Sequence, residues 1–341
     1  MVATVILVII FLIILIVGHE FGHFIIAKLF GMRVDEFGIG FPPKIFGGKI
    51  GETEYSINAL PFGGFVKIHG ENGDEKSISD PRSFRGSSLL KRSLVISGGV
   101  LVNIIIAWLA FSLVFMIGIP KTVFVESVQH GTPAEQIGLQ FGDEIVGFSS
   151  SAAFTSFITD HAGVKMTFIV RREGEELTLI ATPRIDPPEG EGRLGVTIIE
   201  GGVTQISFFS AMYEGGKAVL RIASLIGGIF VTLVRSLFGG EWKAFQDVSG
   251  PVGIFNAVGI AGGMGFVYIL QLLGLISVNL AIINIFPFPA LDGGRLVFLL
   301  FEPIIGKART VRIESITNAI GFALLIILMV VITVCDIMKI L

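Results

Sequence analysis

The stretch that decides the fold is Gly18-His19-Glu20-Phe21-Gly22-His23, set in an apolar segment that carries no charged side chain over residues 1–19. In a helix, His19 and His23 stand one turn apart on the same face, because side chains at i and i+4 stack. Two imidazoles at that spacing can share one metal ion. Glu20 beside them is placed to take a proton from a water that the metal activates. Two histidines and a glutamate at membrane depth are costly, and ionisable residues there mark function. The pattern His-Glu-x-x-His also arises by chance, so the rest of the chain must supply the third ligand and the membrane.

The membrane is written in the composition. Of 341 residues, 52% are hydrophobic and only 16% charged, against roughly 25% in a soluble domain. Mean hydropathy is +0.81. These values describe an integral membrane protein, and the net charge of −3 gives no reason to expect nucleic acid as a partner. The single cysteine, Cys335, excludes an intramolecular disulfide and any Cys-based zinc site. The first apolar run lacks a basic n-region and a small-residue cleavage site, so it reads as a retained span.

Four segments have the roughly 20 apolar residues needed to cross a bilayer: about 2–27, 94–118, 266–287 and 315–335. The third lies at the end of an uncharged run over 248–291, with Gly259, Gly262, Gly263 and Gly265 expected to break what precedes it. A further stretch, 217–238, holds Arg221 and Arg235 and reads as an amphipathic helix at the interface. Residues 28–92 hold ten basic and eight acidic side chains, and 120–216 hold six and thirteen. The positive-inside rule then puts 28–92 and 295–312 in the cytoplasm, and 119–216 with both termini outside. Spans one and three therefore run in the same direction.

Between the first two spans, residues 34–70 read as β structure, with a hairpin over Ile45–Ile50 turning at Gly47-Gly48. Strands follow at Glu54–Ala59 and Phe65–Ile68. High apolar content suggests a small sheet dipping into the inner leaflet, where non-helical backbone is tolerated only if protein or a wet cavity surrounds it. Residues 121–185 look soluble and mixed, with a turn and short helix at Gly131–Leu139, a strand opening at Gly142–Val146, and a hairpin turning at Glu173-Gly174-Glu175. Residues 147–163 look short and irregular.

A catalytic zinc commonly has three protein ligands and an open position. His69, His130 and His161 lie in loop or outer-domain sequence. Asp292 closes the uncharged run and, by the charge rule, sits at the inner end of span three, at the depth of His19 and His23. Its alternative role is a helix N-cap. Pro287 and Pro289 interrupt the helix just before it. Asn284 and Asn103 are buried amides that could bond substrate backbone or satisfy freed backbone groups.

The chain resembles the site-2 protease family, the bacterial zinc intramembrane metalloproteases of the regulator of sigma-E protease type. His19-Glu20-Phe21-Gly22-His23 is similar to its first-span motif. Asn284-x-x-Pro287-x-Pro289-x-Leu291-Asp292-Gly293-Gly294 is similar to its third-span motif. Phe37–Phe41 and Pro61–Lys67 resemble its membrane-reentrant β-loop, and Gly250–Ile254 a stretch before span three. Residues 121–185 look like one PDZ domain. One departure is Val100 after Gly99, where the family has proline.

The resemblance implies a polytopic α-helical membrane protein of about four spans, with a β-loop at 34–70 and one small α/β PDZ-like extracytoplasmic domain. Its parts are 1–118, the PDZ-like 119–200, an interfacial 201–262 and the last two spans in 263–341. It implies Zn²⁺ held by His19, His23 and Asp292, with Glu20 as general base. It further implies substrate contacts at Asn284, Gly63, Gly64 and Val66. The expected activity is cleavage of single-span membrane proteins, such as anti-sigma factors or remnant signal peptides, in the bacterial inner membrane near the cytoplasmic face. A metal-binding transporter and a PDZ-centred scaffold are the rival readings; neither gives Glu20 a task.

Overall fold

The structure, a computed structural model, describes residues 2–71, 80–172, 174–188, 190–239 and 250–340. The chain forms two units, one of Met1–Phe111, Met212–Gly262 and Tyr268–Leu341, the other of Ser112–Ala211 with Gly263–Val267.

The first unit is built on long apolar helices. Helix α1 covers Val2–Leu29 and α2 covers Leu89–Ile117. In lipid only a helix satisfies every backbone group within one segment, and side chains such as Ile6, Ile10, Leu101 and Leu109 are correspondingly exposed. The two helices meet through glycine. A Cβ on Gly22 would lie 2.1 Å from the Gly98 carbonyl oxygen, and one on Gly98 would lie 2.4 Å from that of Gly22. Small residues let membrane helices approach backbone to backbone.

Two strands follow α1, β1 at Val34–Ile50 and β2 at Thr53–Ile68, paired antiparallel except where 36–39 runs in the same direction as 54–57. Both strands bend, so each contributes two segments to one small sheet. Residues 53–58 lie between 44–50 and 36–39, and 64–68 pair with 34–39 on the other side. The segment 64–68 is therefore an edge. The expected turn at Gly47-Gly48 is wrong. These two residues pair with Ser56 and Tyr55 within the ladder, and the chain reverses at Gly51-Glu52 between Ile50 and Thr53. Gly51 has φ +62°, the left-handed conformation that a two-residue hairpin loop needs. Glu52 then bonds both Lys28 and Arg82, and these cations hold its carboxyl down at about 2.

Helix α7 covers Phe266–Ile285, α8 covers Asp292–Ile305 and α9 covers Lys307–Ile340. Before them stand α5, Phe208–Gly239, and α6, Pro251–Met264. The glycines expected to break the run before span three are tolerated. Residues 251–264 are helical and only Gly265, φ +120°, interrupts. Helix α5 begins nine residues earlier than the expected amphipathic stretch. By length and composition five described helices could cross a membrane, α1, α2, α5, α7 and α9, where four were expected. Helix α8 is fixed to α2 by a bidentate pair, Arg92 to Glu302 at 2.5 and 2.6 Å, both nearly inaccessible. Deleting one partner of such a pair typically costs about 3–5 kcal/mol.

The second unit contains a five-stranded sheet in the order β6-β5-β4-β3-β7, with β3 at Ile119–Val128, β4 at Glu144–Ile145, β5 at Met166–Arg172, β6 at Glu175–Ala181 and β7 at Val196–Val203. Short helices α3, Pro133–Gln136, and α4, Ser151–Asp160, complete it. Strands β5 and β6 form the expected hairpin; Glu173 of its turn lies outside the described residues. The irregular reading of 147–163 is corrected by α4. The Ser150 side chain caps its start by accepting from Ala153 N, and Phe154 and Ile158 bury one face in the core with Val123, Ile145 and Val170.

Candidate active site

The α1 face carrying His19 and His23 turns inward against α2. His23 is buried, and its Nδ1–H donates to the Val95 carbonyl at 2.8 Å. A carbonyl can only accept, so this bond fixes the tautomer and leaves Nε2 with its lone pair free. His19 Nδ1 meets the Asn103 side-chain amide at 3.2 Å. With the amide nitrogen in that position, the fully buried Asn103 Oδ1 has no partner. Amide oxygen and nitrogen are assigned by hydrogen bonding; turning the group over lets His19 Nδ1–H donate to Oδ1 and frees His19 Nε2 as well. The Asn103 carbonyl accepts from Ser277 Oγ of α7 at 2.8 Å. Asn103 thus ties α1, α2 and α7 together at the histidines.

Asp292 opens α8. Its predecessor Leu291 occupies the N-cap position without a side-chain bond, so the alternative role of Asp292 as a cap is not realised. The following glycines allow the turn. A Cβ on Gly293 would lie 2.2 Å from the Ile285 and Phe286 carbonyl oxygens, and one on Gly294 would lie 2.3 Å from that of Phe288. The loop therefore folds tightly over the first turn of α8 and delivers the carboxylate to the histidines.

The three donor atoms converge. Asp292 Oδ2 lies 3.1 Å from His19 Nε2 and 3.4 Å from His23 Nε2, and the two nitrogens are 3.3 Å apart. Donor atoms around a tetrahedral ion with bonds of 2.0–2.1 Å stand about 3.3 Å apart. Asp292 Oδ2 is buried with no hydrogen-bond partner, and a cation would satisfy it. These are the one group among the described residues whose spacing could hold a metal ion.

A cavity of about 330 Å³ opens beside the triangle, lined by His19, Glu20, His23, Val66, Asn284 and Asp292 among others. Edge segment 64–68 borders it. A Cβ on Gly64 would lie 3.4 Å from Glu20 Cγ, so the strand backbone passes directly beside that carboxylate. Gly63 turns its α-carbon onto the Phe41 ring at φ +139°, a conformation reserved for glycine. The structure thus brings Glu20, the three donor residues, Asn284 and Val66 to one cavity; Gly64 stands beside Glu20 but neither it nor Gly63 lines the cavity.

Sequence reasoning missed Gly99. A Cβ there would lie 2.5 Å from His19 Cε1 and 2.6 Å from each histidine Nε2. The signal was present as a Gly98-Gly99 pair inside an apolar helix, where paired glycines mark close approach.

The chain belongs to Peptidase family M50, whose sequence pattern it matches over residues 7–328. A Clostridium acetobutylicum protein provisionally named a zinc metalloprotease is 34% identical, with 95% of this chain and 94% of that protein aligned. Zinc metalloprotease RasP of Shouchella clausii is 29% identical over 96% of both chains, and that of Geobacillus kaustophilus 28% over 95% of both. The chain is a zinc metallopeptidase with Zn²⁺ as its cofactor. The His-His-Asp donor set suits that ion.

Proposed function

We propose that this chain is a zinc-dependent intramembrane endopeptidase of the regulator of sigma-E protease type, acting on single-span membrane proteins such as anti-sigma factors or remnant signal peptides in regulated intramembrane proteolysis. The observation that carries this reading is an open strand edge beside a glutamate and a His-His-Asp triangle, with His19, Glu20 and His23 on α1, a helix long and apolar enough to cross a membrane. His19, His23 and Asp292 hold zinc. When bound, zinc polarises a carbonyl oxygen and lowers the pKa of water toward about 7. Glu20 takes the proton of the attacking water and returns it to the leaving amide nitrogen, so hydrolysis yields one carboxylate and one amine. Asn284 hydrogen-bonds substrate backbone across the cavity.

A substrate helix keeps its carbonyls bonded along its own axis, so it must become extended before attack. Segment 64–68 has a free edge onto which an extended peptide can add. Gly63 and Gly64 let the two backbones approach, and Val66 lines the cavity. The test is cleavage of a purified single-span substrate in detergent. Chelation should stop the reaction and added Zn²⁺ restore it. Gly or Pro near the cut site should speed it, since either weakens a helix by roughly 1–3 kcal/mol. Val66→Pro, which removes an edge N–H, should slow cleavage about tenfold or more at normal zinc content. Rates indifferent to both the helix breakers and Val66→Pro would eliminate strand presentation.

The charge asymmetry supports a bacterial inner-membrane location with both termini and the second unit outside, and the active site near the cytoplasmic face. It also bears on α5. Helix α6 has 14 residues, about 21 Å of rise, against a hydrocarbon core of about 30 Å. A full crossing by α5 would need a return crossing before α7, and α6 is too short for one. An interfacial α5 and four spans fit better, and the five strands with two short helices suit a PDZ-like domain. With Cys335 replaced by serine, Ala152→Cys should react with an impermeant thiol reagent in intact cells, and Ala308→Cys only after permeabilisation. The reverse pattern overturns the orientation.

A further inference from the structure

The loop 286–291 that delivers Asp292 contains the one non-glycine residue with positive φ among the described residues, Ala290 at +72°. A β-carbon makes the left-handed region unfavourable, and alanine lacks the polar side chain that lets asparagine or aspartate compensate locally. Such a conformation persists only where the surroundings impose it. Here the surroundings include helix α9. The Ala290 N–H donates to Asn318 Oδ1 at 3.1 Å. One turn further along α9, Gly321 presses its backbone on the same loop, where a Cβ would lie 2.5 Å from Pro289 Cβ and 2.6 Å from its carbonyl oxygen. Residues 318 and 321 share a helix face. On its other side the loop rests on Gly293 and Gly294, so it is clamped between α8 and α9.

We infer that Asn318 is a positioning residue for the metal site: its carbonyl oxygen holds Ala290 in the left-handed conformation and thereby sets the direction in which Asp292, two residues on, enters the triangle. This rests on Asp292 being a zinc ligand. Asn318 is not among the residues lining the cavity beside the triangle; it acts through one backbone N–H.

The test compares zinc affinity, by chelator competition on the full chain in detergent, for Asn318→Leu, Asn318→Asp, Ala290→Gly, the double variant Asn318→Leu/Ala290→Gly, and Asp292→Ala. Leucine matches asparagine in size and removes the acceptor; affinity should fall about tenfold, the low end of what loss of an outer partner costs a metal site. Aspartate keeps an acceptor and should stay near wild type. Glycine at 290 adopts φ +72° without help, so the double variant should recover most of the loss. A purely structural role for Asn318 would not be rescued at position 290. Wild-type affinity in Asn318→Leu overturns the inference, as does a loss that Ala290→Gly leaves unchanged. If Asn318→Leu does not fold, a folded double variant with near-normal affinity supports the inference, and an unfolded one overturns it. Asp292→Ala separates the two readings: undiminished affinity there refutes the ligand assignment itself, whereas a loss there beside wild-type Asn318→Leu refutes the positioning alone.

Discussion

Glu20→Gln keeps its zinc and loses cleavage. The amide is the size of the carboxylate and leaves His19, His23 and Asp292 in place, but it cannot accept the proton of the attacking water. A positioned general base contributes typically about 10²–10⁴-fold, so the rate on a single-span substrate should fall by roughly that factor. The measurement pairs zinc content per chain with the rate of product appearance, and His23→Ala serves as the metal-free comparison. Zinc loss in Glu20→Gln as severe as in His23→Ala would contradict the role given to Glu20. It would make that carboxylate part of the donor set, although the triangle of 3.1, 3.3 and 3.4 Å closes without it. Cleavage at the wild-type rate with zinc retained would move the base elsewhere in the cavity.

The prominence of this carboxylate in the sequence follows from where information about a membrane protein is written. His19, Glu20 and His23 were legible because helical period and apolar context are both local. Asp292 was legible because it closes the uncharged run and charge asymmetry predicted it at the level of the histidines, beside which it is found. The turn of the β-loop was not. Gly47-Gly48 and Gly51-Glu52 are equally good turn sequences, and only the ladder that pairs Gly47 with Ser56 decides between them. Helix α4 was missed because its signal is one short apolar set, Phe154, Phe157 and Ile158, over ten residues. The break expected from four glycines came at one, since packing tolerates glycine inside a helix at a cost of only about 1 kcal/mol. The contacts of Asn103 with His19, Gly99 with both histidines and Asn318 with Ala290 join separate segments, and no periodicity along one segment reports what faces it from another.

Gly99 makes that last point testable, because local and tertiary rules give opposite signs there. Judged as one position in α2, Gly99→Ala should favour the helix by about 1 kcal/mol. Judged by what faces it, the new methyl group would sit 2.5 Å from His19 Cε1 and 2.6 Å from both Nε2 atoms, inside van der Waals contact with the atoms that must hold the metal. Neither ring can turn aside freely. His23 is bonded through Nδ1 to the Val95 carbonyl, one turn earlier on the same helix, and His19 is held by Asn103, one turn later. Helix α2 thus grips both imidazoles from either side of the position where the methyl would intrude. Relief requires breaking one of these bonds or parting α1 from α2, whose backbones already touch at Gly22 and Gly98. The expected result is a zinc affinity lower by on the order of 100-fold or more, the upper end of what disturbing a ligand's support costs, with cleavage lost in parallel. Thermal unfolding of the metal-free protein should come earlier, since overpacking costs typically about 1–3 kcal/mol against a helix gain of about 1 kcal/mol. Gly263→Ala in α6 is the control, since a Cβ there meets nothing within 4 Å; it should keep both zinc and activity. Wild-type zinc affinity in Gly99→Ala would mean that the two histidines do not meet against α2 at this residue, and the donor triangle would have to be rebuilt from another packing of the first two helices.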